Sequence, residues 1–197
     1  MSTKVTVNQN KTPKLLGMIV AIIGVIMLVA GASVYIFASS YLKDERITVS
    51  ADADAFAGKQ VAGPFTAFAQ AAIINKHALA PAKVETLDPA ITDAEAFAAE
   101  LGGKTYAELG DMNKDYAAQA AAATGDEATA LQAKADAAAA KRVTVMNGSF
   151  LRASLFTSVV SFGVAVLVMG TGLTFALAGF ATMKLSDGPV VETKTAA

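Results

Sequence analysis

The chain has 197 residues, of which 54% are hydrophobic and only 17% charged, and its formal net charge is -1. That composition excludes a wholly disordered chain and removes the electrostatic basis for nucleic-acid binding. No Cys and a single His, His77, exclude disulfides, a thiolate nucleophile and Cys-ligated zinc or iron–sulfur clusters, and they leave too few imidazoles for most His-based metal sites.

Residues 1–14 form a tail carrying Lys4, Lys11 and Lys14 and no acid. Residues 15–42 then run for 28 positions without a formal charge, and residues 153–183 for 31. A bilayer core about 30 Å thick needs about 20 helical residues, so both runs are predicted to be transmembrane helices. The first resembles a secretory signal, but its apolar stretch exceeds the ~7–15 residues of a signal core and a second run follows, which predicts an uncleaved anchor. Leu28-Val29-Ala30-Gly31 would suit a lipoprotein signal, but Ala32 stands where the lipidated cysteine belongs.

The basic amino tail, together with a carboxyl tail (184–197) that carries Lys184 and Lys194 against Asp187 and Glu192, predicts both termini on the cytoplasmic side. Residues 43–152, with 11 basic and 15 acidic residues, then form an extracytoplasmic domain. Tyr35, Phe37 and Tyr41, near the outer end of the first run, are predicted interface anchors. No ionisable side chain falls within either run, so the features that transport, proton relay and voltage sensing require at membrane depth are missing.

Gly17, Gly24, Gly31 and Ala38 recur every seven residues in the first run, and Ser158, Ala165, Gly172 and Gly179 do so in the second. A seven-residue spacing keeps one stripe toward a partner helix, and small side chains let backbones approach closely in lipid. These eight residues are the candidate helix-packing site, with pairing of the chain's own two helices as the simplest use. The competing reading is chance, because Gly and Ala are common in membrane helices.

In the outer segment, Ile47-Thr48-Val49 and Val143-Thr144-Val145 alternate at period two and suggest a short ribbon; for the second stretch an early start to the following helix competes. Gly63-Pro64 opens a helix with Phe65, Phe68, Ala69, Ala72 and Ile73 at helical spacing, ending before Pro81. Thr92-Asp93-Ala94-Glu95 has capping-box spacing and Leu101-Gly102-Gly103 a stop; Thr105-Tyr106-Ala107-Glu108 is a further start. Residues 111–142 read as two alanine-rich helical arms broken at Thr124-Gly125-Asp126-Glu127, either laid against a partner or mobile. The expected core is Phe56, Val61, Phe65, Phe68, Ile73, Ile74, Leu79, Leu87, Ile91, Phe97, Leu101, Tyr106 and Leu109, small for a segment of this length. The predicted fold class is therefore a mostly α membrane protein, a hairpin of two transmembrane helices joined by a small helix-rich domain with minor β.

No catalytic, cofactor-binding or metal-ligating group is assigned. His77 lacks companion ligands and reads as a helix-terminal surface residue. Asp52 and Asp54 lack a third carboxylate for a hard cation and read as a solvated loop. Gly102-Gly103-Lys104-Thr105 ends like a phosphate loop, but the earlier glycine and the preceding strand are missing, so it reads as a helix stop. Asn147-Gly148-Ser149 reads as the entry to the second span, with Ser149 a cap and Arg152 a headgroup anchor.

The runs Ile47-Thr48-Val49 through Asp52, Phe56-Ala57-Gly58-Lys59, Val61-Ala62-Gly63-Pro64-Phe65-Thr66-Ala67-Phe68, Lys104-Thr105-Tyr106-Ala107-Glu108-Leu109 and Val145 through Ser158 resemble an actinobacterial family of small two-span membrane proteins. The resemblance covers most of residues 15–183, least in the alanine-rich arms. Members often carry the name aromatic ring-opening dioxygenase; an extradiol iron site needs two histidines and a carboxylate, and one histidine is present. Some members are accessory subunits of the cytochrome bcc-aa3 supercomplex. The resemblance thus implies a non-catalytic subunit of a respiratory membrane complex, partnered by its integral membrane subunits. The alternative is an independent envelope protein whose outer domain binds peptide, lipid or cell-wall material.

Overall fold

The computed structural model describes residues 12–186. Five α-helices follow in order: α1 (Thr12–Asp44), α2 (Pro64–Leu79), α3 (Ala94–Glu100), α4 (Tyr106–Ala122) and α5 (Gly125–Ser186), with one 3-10 turn at Val84–Thr86. Two of them, α1 and α5, are long and apolar enough to cross a membrane. The chain divides into two compact units, one formed by the chain up to Tyr41 and from Val160 onward, the other by Leu42–Val159. The tail residues Lys4, Lys11, Asp187, Glu192 and Lys194 lie outside the described residues.

In the first unit the buried positions of the two helical segments are mostly small. Gly17, Gly24, Gly31, Ala165, Gly172 and Gly179 are buried, whereas Ile22, Ile26, Val29, Val164 and Leu167 are exposed. One large side chain joins them: Phe162 is fully buried and meets Tyr35 edge-on at 4.8 Å between ring centroids. Tyr35 is thus packed against a helix neighbour, while Phe37 and Tyr41 are exposed.

The second unit begins where α1 ends, with Arg46 in the left-handed region (φ 53°). The expected ribbon does not form. Ile47–Val49 folds back on 59–61, with Val49 N–H donating to Lys59 O and Val61 N–H to Ile47 O, and Thr48 bridges antiparallel to Gln60. Among the described residues there is no strand, so the minor β component shrinks to that bridge. Val143, Thr144 and Val145 are interior to α5. The preceding alanine run is already helical, and extending a formed helix adds one hydrogen bond per residue fixed, which outweighs the weak β preference of two valines.

α2 starts at Pro64, whose missing N–H costs nothing in the first turn, and the Thr66 hydroxyl accepts from Gly63 N–H. It buries Ala67, Ala71, Ile73 and Ala78, while Phe65 and Phe68, expected in the core, are 74% and 57% exposed. Phe56 and Tyr106, also expected inside, are exposed as well. The capping box expected at Thr92 is not made: α3 is preceded by Asp93 without a side-chain cap, and the Asp93 carboxylate takes Lys134 Nζ at 2.7 Å instead. At α4 the capping box does form, with Glu108 N–H donating to Thr105 Oγ1 and Thr105 N–H to Glu108 Oε2.

The alanine-rich arms are laid against each other. α4 and the first turns of α5 run antiparallel, joined by Asn113 Nδ2 donating to Ala135 O and by Arg142 stacked on Tyr106 at 3.9 Å. The side chains that lock them are few: Ile91, Phe97, Leu101, Leu109, Ala138 and Val145 form the buried cluster, with Leu79, Leu87, Met112 and Tyr116 packed around it. Alanine at 135 and 138, both fully buried, allows this close helix contact.

Candidate functional site

Two heptad stripes of small residues were the only site the sequence offered, and the structure brings Gly17, Gly24 and Gly31 against Gly179, Gly172 and Ala165. A methyl group built on Gly17 would lie 2.8 Å from Gly179 O, one on Gly24 2.5 Å from Gly172 O, and one on Gly31 2.8 Å from Ala165 O. Each contact pairs an earlier residue of α1 with a later one of α5, so the segments run antiparallel. At Gly24 the three nearest atoms are all main chain, which cannot rotate away as a side chain can, so a Cβ there has to push the helices apart; at Gly17 and Gly31 main-chain atoms are joined by Met183 Cγ at 3.1 Å and Met169 Cγ at 2.7 Å. Ala38 and Ser158, the fourth pair, are each half-buried, and Ser158 Oγ donates to Ser154 O within its own helix.

Ala21 and Ala176 complete the contact and were not singled out from the sequence. A Cβ on Gly179 would come 2.4 Å from Ala21 N, and one on Gly24 2.3 Å from Ala176 N. Their signal was present, because each stands four residues after a stripe glycine (Gly17, Gly172), the small-xxx-small spacing of close helix pairs. Two further glycines of α5, Gly163 and Gly170, meet open space, so it is position rather than glycine content that marks the contact face.

The second unit places the remaining candidate residues. His77 Nε2 lies 2.8 Å from Asp52 Oδ2, both side chains about half exposed, and the hydrogen bond from His77 holds the Asp52 carboxyl below its ordinary value. Asp54 does not join them; it borders a groove of about 400 Å³ whose walls include Phe56, Phe65, Phe68 and Ile73, with Lys76 at its edge. Gly103, with φ +72°, lies just past the end of α3 and donates its N–H to Leu79 O at the end of α2, while Gly102 N–H returns to Ala99 O of α3. Among the described residues no three His, Asp or Glu side chains converge as a metal site.

No helix start falls at Asn147-Gly148-Ser149, since all three residues lie inside α5. Gly148 serves close approach instead: a Cβ there would sit 2.7 Å from Ala78 Cβ, so α2 rests directly on α5. Ser149 is consequently no cap. Arg152 is turned toward α2, its Nη1 donating to Asn75 Oδ1 at 2.7 Å and its guanidinium 5.7 Å from the Phe156 ring, and Phe156 in turn meets Phe68 edge-on at 6.0 Å.

A second charged cluster supports the core. Lys134, largely buried, donates to Asp93 and lies over the rings of Phe97 and Tyr116 at 5.3 and 5.6 Å. The Lys134 hydrogen bond holds the Asp93 carboxyl below its ordinary value, while burial followed by the charge of Glu100 raises the Tyr116 hydroxyl. Lys141, lowered by burial, donates to Ala80 O and pins the end of α2. These groups are engaged in packing and offer no nucleophile paired with a base.

Comparison of the chain with protein-family models, with curated proteins and with solved structures finds no match.

Proposed function

We propose that this chain is a two-span membrane protein that serves as a non-catalytic accessory subunit of a respiratory complex of the cytochrome bcc-aa3 kind. Both tails would lie in the cytoplasm and residues 43–152 outside. The observation that carries the reading is the inverted packing of α1 against α5. Glycine, alanine and backbone make up most of the contact, with Phe162 the one large side chain fully buried there, and Ile, Val, Leu and Phe cover the outward faces. In water such an arrangement forfeits the burial of apolar area that folds proteins; in lipid it is favourable, because close backbone contact is what remains to be gained. Those outward faces, free of charge over the whole span, suit lipid and the apolar flanks of larger membrane subunits. The bcc-aa3 partner comes from the family resemblance of the quoted motifs, and the second unit would give the complex a small outer domain.

The test is isolation of the tagged full-length chain from native membranes in mild detergent. Haem absorbance and cytochrome subunits are expected in the bound fraction at constant proportion to the chain. Recovery of the chain with no cytochrome, all haem staying unbound, would end the proposal.

A further inference from the structure

α2 is packed unlike the Phe97 core of the second unit. From residue 60 to residue 75 there is no formal charge. The side turned inward is mostly small, with Ala67, Ala71 and Ala78 buried beside the single larger Ile73; the side turned outward carries Phe65 and Phe68 at 74% and 57% exposure. That is the pattern of α1 and the end of α5, and the reverse of the Phe97 core in its own unit.

The neighbouring segment of α5 says what covers those rings. α2 runs antiparallel to it: Ala78 touches Gly148, Asn75 bonds Arg152, and Phe68 meets Phe156. Arg152 is the last charge of α5 before the uncharged run 153–183, and the same level on α2 is marked by Asn75, the residue before Lys76 and His77. Polar ends coincide and apolar ends coincide. Below that level Phe156 already belongs to the uncharged run, and Phe68 packs on it. Phe65 lies ten residues from Asn75, about 15 Å of helix.

We infer that the first half of α2, Pro64 to Ala72, dips into the outer leaflet of the bilayer, with Phe65 and Phe68 in contact with acyl chains and the Asn75–Arg152 pair at headgroup depth. The inference rests on the membrane reading of α5 proposed above. An immersed apolar face of this size contributes to membrane affinity in proportion to its area, and it anchors the outer unit to the membrane surface independently of any protein partner. The groove lined by Phe56, Phe65 and Phe68 then opens toward lipid.

The chain has no cysteine, so single-cysteine variants of the full-length protein test this directly. Phe65→Cys, Phe68→Cys, Val84→Cys and Val164→Cys are labelled with a fluorophore, reconstituted in phosphatidylcholine–phosphatidylglycerol vesicles, and quenched from lipid by doxyl-labelled acyl chains or from water by iodide. Circular dichroism matching the parent shows that each variant is folded; Phe65 makes the site robust, since its ring is mostly exposed. Acyl-chain quenching at 65 and 68 is expected to approach that at 164 and to exceed that at 84 several-fold, with iodide showing the opposite order. If 164 is quenched from lipid while 65 and 68 respond to iodide as 84 does, the inference is overturned and the span stands. Shielding of 65 and 68 from both quenchers assigns the face to protein and also overturns it. Failure of lipid to quench 164 removes the membrane reading itself.

Discussion

The helix pair of the first unit and the Phe97 core of the second are built on opposite rules. In the pair, mostly glycine, alanine and backbone are inside, with Phe162 the exception, and large aliphatic residues are outside; in the core, Phe97, Leu101 and Leu109 are fully buried and charged groups stand around them. Water rewards the removal of apolar area, at about 25 cal/mol per Å², so large side chains go inward. Lipid gives no such reward, and dispersion between closely approaching backbones takes its place. On the membrane reading proposed above, side-chain size at a contact follows the solvent around it, and α2, which buries Ala67, Ala71 and Ala78 with Ile73 and exposes Phe65 and Phe68, resembles the helix pair more than the Phe97 core.

The largest effect expected from breaking this contrast is at Phe97. Phe97→Ala empties the centre of the cluster and removes the edge-on contact with Tyr116 at 5.6 Å, for a loss of about 3–5 kcal/mol. Thermal unfolding of the detergent-solubilised chain should show an early transition that spares the helix pair; an unshifted transition would mean the cluster does not hold the unit together.

Next come the glycines. Gly24→Val forces a side chain against main-chain atoms and is expected to cost at least about 1–3 kcal/mol, read as a lower unfolding temperature or detergent resistance. Gly170→Val, placed in open space on α5, is expected to leave both unchanged. Equal losses at the two positions would point to helix propensity rather than contact as the cause.

The smallest effect is the response to acid. Asp52 and Asp93 have carboxyls held below their ordinary 3.8 by His77 and Lys134 respectively. Folded, each binds a proton less readily than unfolded. Their stabilisation is therefore complete above the ordinary carboxylate value and is lost as the pH falls through 3.8 and below. Unfolding temperatures recorded from neutral pH downward should decline in that window, and Asp93→Asn should flatten the decline. A variant profile parallel to the parent's would remove Asp93 from the account.

Much of the helical layout was legible in residue order. Uncharged length announced α1 and the end of α5, Gly63-Pro64 announced α2, and Thr105 with Glu108 announced α4, because each signal acts within one or two helical turns. Legibility failed where a distant partner intervened. Thr92 lost its cap because Asp93 found Lys134, 41 residues away. Asn147-Gly148-Ser149 read as the entry to the second span, with Ser149 its cap, because the uncharged run follows closely; the helix starts instead at Gly125, and against Ala78 the glycine is what lets α2 touch α5. Phe65 and Phe68 read as core because aromatic residues at helical spacing usually are, and the face opposite, made of alanine, carried the contact.

Chain order alone settled which segments are long, apolar and uncharged, and it spaced small residues at seven so that each long helix had a face fit for close contact. These are local properties, set by rise per residue and side-chain volume. The partner chosen by each face, the level at which Arg152 meets Asn75, and the turning of two phenylalanines outward depended on the folded arrangement, because such choices are decided by how nearly two backbones can approach once every other contact is in place.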